Sequence, residues 1–184
     1  MSAEGLIDVT EHDNLASRGR PDLFGALAAT IKRATIADRA ALVRLQPEAL
    51  QPHGLAALSR ALISAGFSPE NWRDDTWPRW ALIAQGIALA GHSAGRLGEQ
   101  LAQAGVAESR VMRLLTARGE AFRQLLPRLL RLLASKGVAP NWRELGELVL
   151  KESSHKLNDA KDAEAIRLRI AGSYFAYLGK AAKH

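Results

Sequence analysis

Between Gly95 and Leu133 the chain reads GRLGEQLAQAGVAESRVMRLLTARGEAFRQLLPRLLRLL. Apolar residues recur there every three or four positions, the spacing of one helix face, and not at the period of two that a strand requires. Glycines divide the stretch into three predicted helices, Leu97 to Ala104, Ala107 to Arg118 and Glu120 to Ser135, with Gly105 and Gly119 at the breaks. Elsewhere no alternation of period two survives beyond four residues. The predicted fold is therefore all-α, a compact bundle of about eight helices that can divide into two packed lobes.

The rest of the chain follows the same period. Residues 1–21 are polar and non-periodic and read as a flexible N-terminal segment. Residues 22–91 read as an N-terminal helical lobe, with helices from Asp22, from Ile36 to Leu45, from Gly54 to Ala65 and from Trp80 to Gly91. The stretch SPENWRDDTWP between the last two reads as a polar linker carrying Trp72 and Trp77. Tryptophans beside leucine-rich helices are read as core anchors, although in single-strand binders such rings stack on bases. Residues 92–184 read as a basic C-terminal lobe, in which Trp142 to Leu150 and Ala160 to Leu178 complete the helices. Ile166, Ile170, Tyr174, Phe175 and Leu178 form the last apolar stripe.

Charge separates the two lobes. Residues 1–91 carry 9 Lys and Arg against 10 Asp and Glu, whereas residues 92–184 carry 16 against 9. A net of −1 faces a net of +7, an asymmetry that points to a polyanionic partner. The Gly95–Leu133 stretch holds seven arginines, three glutamates and no lysine. Guanidinium groups stay ionised and offer a planar fork of donors that matches phosphate oxygens. Helical projection sets Arg110 with Arg113, and Arg128 with Arg131, on flanks away from the leucines. Arg118 falls at a helix C-terminus, where it either caps its own helix or reaches across a groove. Arg96 belongs to the same stretch, and Arg167 and Arg169 add positive charge to the last helix. Arg39 and Arg44 are five apart, off any single line of their helix, and read as solvated or as contributing to a basic groove.

Several function classes lose support. With no cysteine there is no disulfide framework, thiolate metal site or cysteine nucleophile. The five histidines are scattered, without metal-ligand spacing, and no nucleophile elbow, phosphate loop or dinucleotide fingerprint occurs. The expectation is a non-enzyme with no catalytic residue, no metal and no cofactor. The N-terminus lacks the pattern of a secretory signal and no apolar run is long enough to span a bilayer, so the expected location is cytoplasmic, without membrane partners.

In order and spacing, L-G-x-x-L-A-x-A-G-V-x-E-x-R-V-x-R-L-L-x-A-R-G-E (Leu97 to Glu120), L-x-R-L-L-R-L-L-A (Leu126 to Ala134) and N-W-x-x-L-G (Asn141 to Gly146) resemble the CasB family. Those proteins are the small subunit of the type I-E CRISPR surveillance complex, Cascade. The ending A-x-R-L-R-I-A-x-x-Y-F, Ala165 to Phe175, is similar to that family's last helix. The resemblance is good from about 92 to 178 and weaker before it. It implies an all-helical CRISPR subunit sitting as a head-to-tail dimer among the other Cascade subunits and their crRNA. It also implies RNA and DNA binding in a ribonucleoprotein, with the displaced single strand of the target DNA held when the R-loop opens in antiviral defence. By motif position the nucleic-acid role falls on Arg110 and Arg118, then on Arg113, Arg128 and Arg131, and on Arg167 and Arg169. A competing expectation is a helix-turn-helix DNA-binding regulator, in which LGEQLAQAGVAESRVMRLL is the motif and Glu108, Ser109, Arg110 and Arg113 meet bases.

Overall fold

One helix, apolar on nearly every side, forms the axis of the protein. The computed structural model describes residues 22–152 and 157–183. The expectations for residues 1–21 and for the loop around His155 lie outside the described residues. Within them are nine α-helices and no strand, the all-α fold that the periodicity predicts. They are α1 (Leu23–Arg33), α2 (Ile36–Val43), α3 (Pro52–Ser64), α4 (Trp77–Ala90), α5 (Leu97–Gln103), α6 (Glu108–Thr116), α7 (Gly119–Ser135), α8 (Trp142–Glu152) and α9 (Leu157–Ala181). No described helix is long and apolar enough to cross a membrane.

The axis is α4, which buries Trp80 to Ala84, Gly86 and Ile87. An apolar surface that wraps a helix must be covered on several sides. Accordingly α1, α2, α7 and α8 all pack against it. Short polar caps begin the first two helices. Asp22 Oδ1 accepts the Gly25 amide at 3.0 Å and starts α1, and Thr35 Oγ1 accepts the Asp38 amide at 3.1 Å and starts α2. One continuous cluster of buried side chains runs through both halves of the chain, from Phe24 to Tyr174.

Two segments depart from the expected pattern. The stretch expected as a polar linker contains two 3₁₀ turns, Pro69–Asn71 and Asp74–Thr76. Its tryptophans join the core: Trp72 stacks on Trp80 at 5.6 Å, Phe67 meets Trp80 at 4.5 Å, and Trp77 meets Trp72 at 5.5 Å. Offset and edge-on aromatic pairs of this kind add about 0.5–1.5 kcal/mol each beyond area burial. On α9 the apolar stripe is buried only as far as Tyr174, whose hydroxyl donates to the Val106 carbonyl at 2.7 Å. Phe175 and Leu178, expected to be inside, are exposed: Phe175 lies nine residues from Ile166, on the opposite side of the helix, and Leu178 lies past Tyr174, the last buried residue of α9. Pro127 lies inside α7, which continues unbroken from Gly119 to Ser135.

The closest helix crossing is that of α5 on α9. A methyl group at Gly98 would coincide with the Ile170 carbonyl oxygen, the Ser173 hydroxyl and the Tyr174 amide, so the two backbones touch there. A buried polar knot secures the chain on either side of α5. Gln100 Oε1 accepts the Asn141 amide at 2.7 Å, Asn141 Nδ2 donates to the Gly95 carbonyl at 2.6 Å, and Glu144 Oε2 accepts the Leu97 amide at 2.7 Å. Beside it His92 Nδ1 accepts the Trp142 amide at 3.1 Å, which requires a neutral ring at that nitrogen. Burial holds the His92 imidazole below its ordinary range, against the opposing pull of Asp22.

Two expected outcomes follow from these contacts. Gly98→Ala should destabilise by the upper part of the ~1–3 kcal/mol range of overpacked cores, lowering Tm by roughly 5–10 °C in thermal denaturation. Because the unfolded chain protonates His92 at higher pH than the folded one, stability should fall as pH drops through about 6.5 and level off below the folded pKa. Denaturant titrations of wild type and His92→Asn from pH 8 to pH 5 check this: the wild type should lose more stability than the variant, and parallel curves would contradict a buried neutral ring.

Candidate nucleic-acid interface

The arginines of the C-terminal half occupy two kinds of surroundings. On α6, Val111, Leu114 and Leu115 are buried, while Ser109, Arg110, Arg113 and Thr116 are exposed. On α7, Phe122, Leu126, Leu129, Leu130 and Leu133 are buried. Its outer line is Ala121, Gln124, Arg128, Arg131 and Ser135, all exposed and none acidic. Among the described residues, Arg110, Arg113, Arg128 and Arg131 have no carboxylate within 4.0 Å, nor have Arg96 and Arg169. Arg96 stands exposed in front of α5, at the edge of a polar groove of about 360 Å³ with Glu99 and Gln103. Arg169 is exposed on α9.

The other arginines are engaged. Arg123 pairs with Glu120 at 2.8 Å and Glu48 at 3.3 Å. Hydrogen bonds from Arg123 and then from Gln124 hold the Glu120 carboxyl below its ordinary range. Arg118 does both things that its position allows. It donates to the carbonyls of Leu115 (2.8 Å) and Ala117 (2.9 Å), closing the end of α6, and reaches Glu164 of α9 at 2.6 Å. It thereby fixes the two-residue elbow between α6 and α7, after which Gly119, the first residue of α7, takes a φ of +52° and donates its amide to Glu152 at 2.8 Å.

Arg167 corrects an expectation. Its side chain is only 4% exposed and lies inside the protein, paired with Glu152 and, at 2.8 Å, with Glu164. The sequence set it beside Arg169 without distinguishing the two, but they are 200° apart around a helix and only one can face water. Buried ions persist when paired, and Glu152 is as buried as its partner. Arg167 therefore ties α9 to the end of α8 and does not stand on the surface.

Exposed cations that the leucine and arginine repeat does not pick out include Lys136, Lys32 and Arg33. Lys136 directly follows α7, and Lys32 and Arg33 end α1, all without a carboxylate partner among the described residues. They sit at helix ends, where they add nothing to a periodic stripe. The signal that finds them is positive charge with no acid one turn away.

The N-W-x-x-L-G stretch has a structural role in this arrangement. Asn141 belongs to the polar knot, Trp142 and Leu145 are fully buried, and Gly146 lies so close to the Phe24 ring that no side chain fits between.

Searches of curated proteins and of solved structures return no match to this chain. A family model described as CRISPR-associated protein Cse2 does match, over residues 38–175, which is 138 of the 184 residues. The matched span runs from the first turn of α2 to the exposed Phe175 of α9 and contains the axis helix, the polar knot and both arginine-bearing helices. With three quarters of its length accounted for in this way, the chain belongs to the Cse2 family, the small subunit of type I-E Cascade that is also called CasB.

Proposed function

We propose that this subunit is a non-catalytic nucleic-acid contact within Cascade, touching the crRNA-guided assembly and holding the displaced DNA strand of the R-loop. The observation that carries this reading is the sorting of the arginines. Arg110, Arg113, Arg128 and Arg131 are exposed with no acidic partner on consecutive helices, while the arginines that shape the fold are paired. Unpaired guanidinium groups at a wet surface are free to take phosphate oxygens two at a time. A displaced strand varies in sequence, so its holder needs phosphate contacts and no base-reading helix. Arg96 and Arg169 extend the candidate surface, and Arg118 acts by fixing the α6–α7 elbow. Self-association as a head-to-tail pair would join two such surfaces along one strand.

Binding of single-stranded oligonucleotides, to the isolated chain and to the assembled complex, tests this across a salt series. Wild type should bind weakly, without sequence preference, with log affinity falling linearly with log salt. Each arginine lost from the four should flatten that slope by about 0.7. The quadruple alanine variant should therefore flatten the slope by about 2.8 and retain the wild-type melting temperature. Arg118→Ala should instead lower Tm, since it removes a helix cap and a cross-helix pair. One duplex site bound tightly at high salt would favour the helix-turn-helix regulator, and absence of binding at low salt in both settings would sink the proposal.

A further inference from the structure

The helix α1 lies before the matched span, and with α4 it forms a groove of about 470 Å³. That is a size typical of small-ligand sites, about 300–1,000 Å³. Its walls are built largely from small residues, Ala28 and Ala29 on α1, Ala88 on α4, and Ala139 from the loop before α8. Lys32 and Arg39 line one end, and His92 lines the other. Arg39 is fastened in place, because its Nη2 donates to the Lys32 carbonyl at 2.6 Å and so closes the end of α1. That is the only side-chain hydrogen bond of Arg39 among the described residues, and its other guanidinium donors are unengaged. Lys32 is exposed and has no carboxylate partner, and Arg33 adds a third positive charge at the same helix end.

Acidic side chains do not cancel this charge. None lines the groove. Of the two nearest along the chain, Asp38 is held by Arg60, and Asp22 is occupied by the Gly25 amide and, at 3.2 Å, by Arg143. The groove therefore offers an apolar floor with cations at one end. Lys32 stands one helical turn, about 6 Å, beyond Ala28 on the same face. An unpaired nucleotide has the matching order, a flat apolar base joined to an anionic phosphate. A helical protein partner would need a trough several turns long.

We infer that this groove seats one unpaired nucleotide of the strand that the subunit contacts, its base against the alanine floor and its phosphate at Lys32 and Arg39. The inference rests on the nucleic-acid reading above and adds to it a second contact point, on the opposite half of the chain from α6 and α7. It assigns to α1 a task that the matched span does not cover.

Two variants separate charge from space. Lys32→Gln removes a phosphate contact, and Ala29→Phe fills the groove without changing charge. Both positions are exposed, so both variants should melt as wild type does. Measured with the full chain and a mixed-sequence single strand carrying 5-bromouracil, Lys32→Gln should lower affinity a few-fold and flatten the salt slope by about 0.7. Ala29→Phe should lower affinity a few-fold by excluding the base, and leave the slope unchanged. Photo-cross-links should map to peptides holding Ala28 to Lys32 or Ile87 to His92. Failure of wild type to bind any strand removes the underlying reading. Normal wild-type binding with both variants indistinguishable from it, and cross-links confined to α6 and α7, overturns the groove alone. Cross-linking of the groove to an acidic polypeptide segment, undisplaced by oligonucleotide, overturns it also.

Discussion

The fit of Trp142 against Gly86 is the contact on which the rest of the bundle depends. The indole is fully buried, and its ring edge lies where a side chain on α4 would be, with Leu130 of α7 closing the same space. Three helices thus meet at one ring that is larger than any aliphatic substitute. Its indole N–H donates to the Gly91 carbonyl at 2.8 Å, so no polar atom of the ring is stranded. The same residue's backbone amide is taken by His92. A single tryptophan therefore sets the spacing of α4, α7 and α8 and pins the end of α4 to the start of α8.

From that point outward the polar knot of Gln100, Asn141 and Glu144 carries the order to α5, and the backbone contact at Gly98 carries it to α9. Such networks specify one arrangement because every buried member needs its partner. The arginine surfaces of α6 and α7 are the outer consequence. Their angle is set at an elbow, and the groups holding it, Arg118, Glu152, Glu164 and Arg167, are charges turned inward or toward one another. Charges left over from this framework are the ones available to a partner.

Much of this was legible in advance, for identifiable reasons. A period of 3.6 residues predicted helices and their buried faces on α6 and α7, where Val111, Leu114 and Phe122 are buried as projected. The motifs from Leu97 to Phe175 pointed to the CasB family, and the Cse2 match agrees. Periodicity misjudged places where neighbours decide exposure. Leu55 recurs with Leu58 and Leu62 at helical spacing in α3, yet it is exposed, and Ala57 and Ala61 are buried instead. The tryptophans of SPENWRDDTWP were recognised as core anchors, yet their segment read as a linker, because 3₁₀ turns leave too short a pattern to detect.

By itself the sequence determined the helical class, the family, and the excess of positive charge in the second half, since each depends on local spacing or on simple counting. Tertiary structure alone decided which cations are free. Arg167 and Arg169 are two residues apart in one helix and alike in chemistry, but one is paired inside with Glu152, fifteen residues away, and the other faces water. Arg118 meets Glu164 across forty-six residues. Pairing of charges is a matter of distance in space, which falls off with separation through the fold and not along the chain, so no count of arginines in the sequence could tell a structural one from an available one.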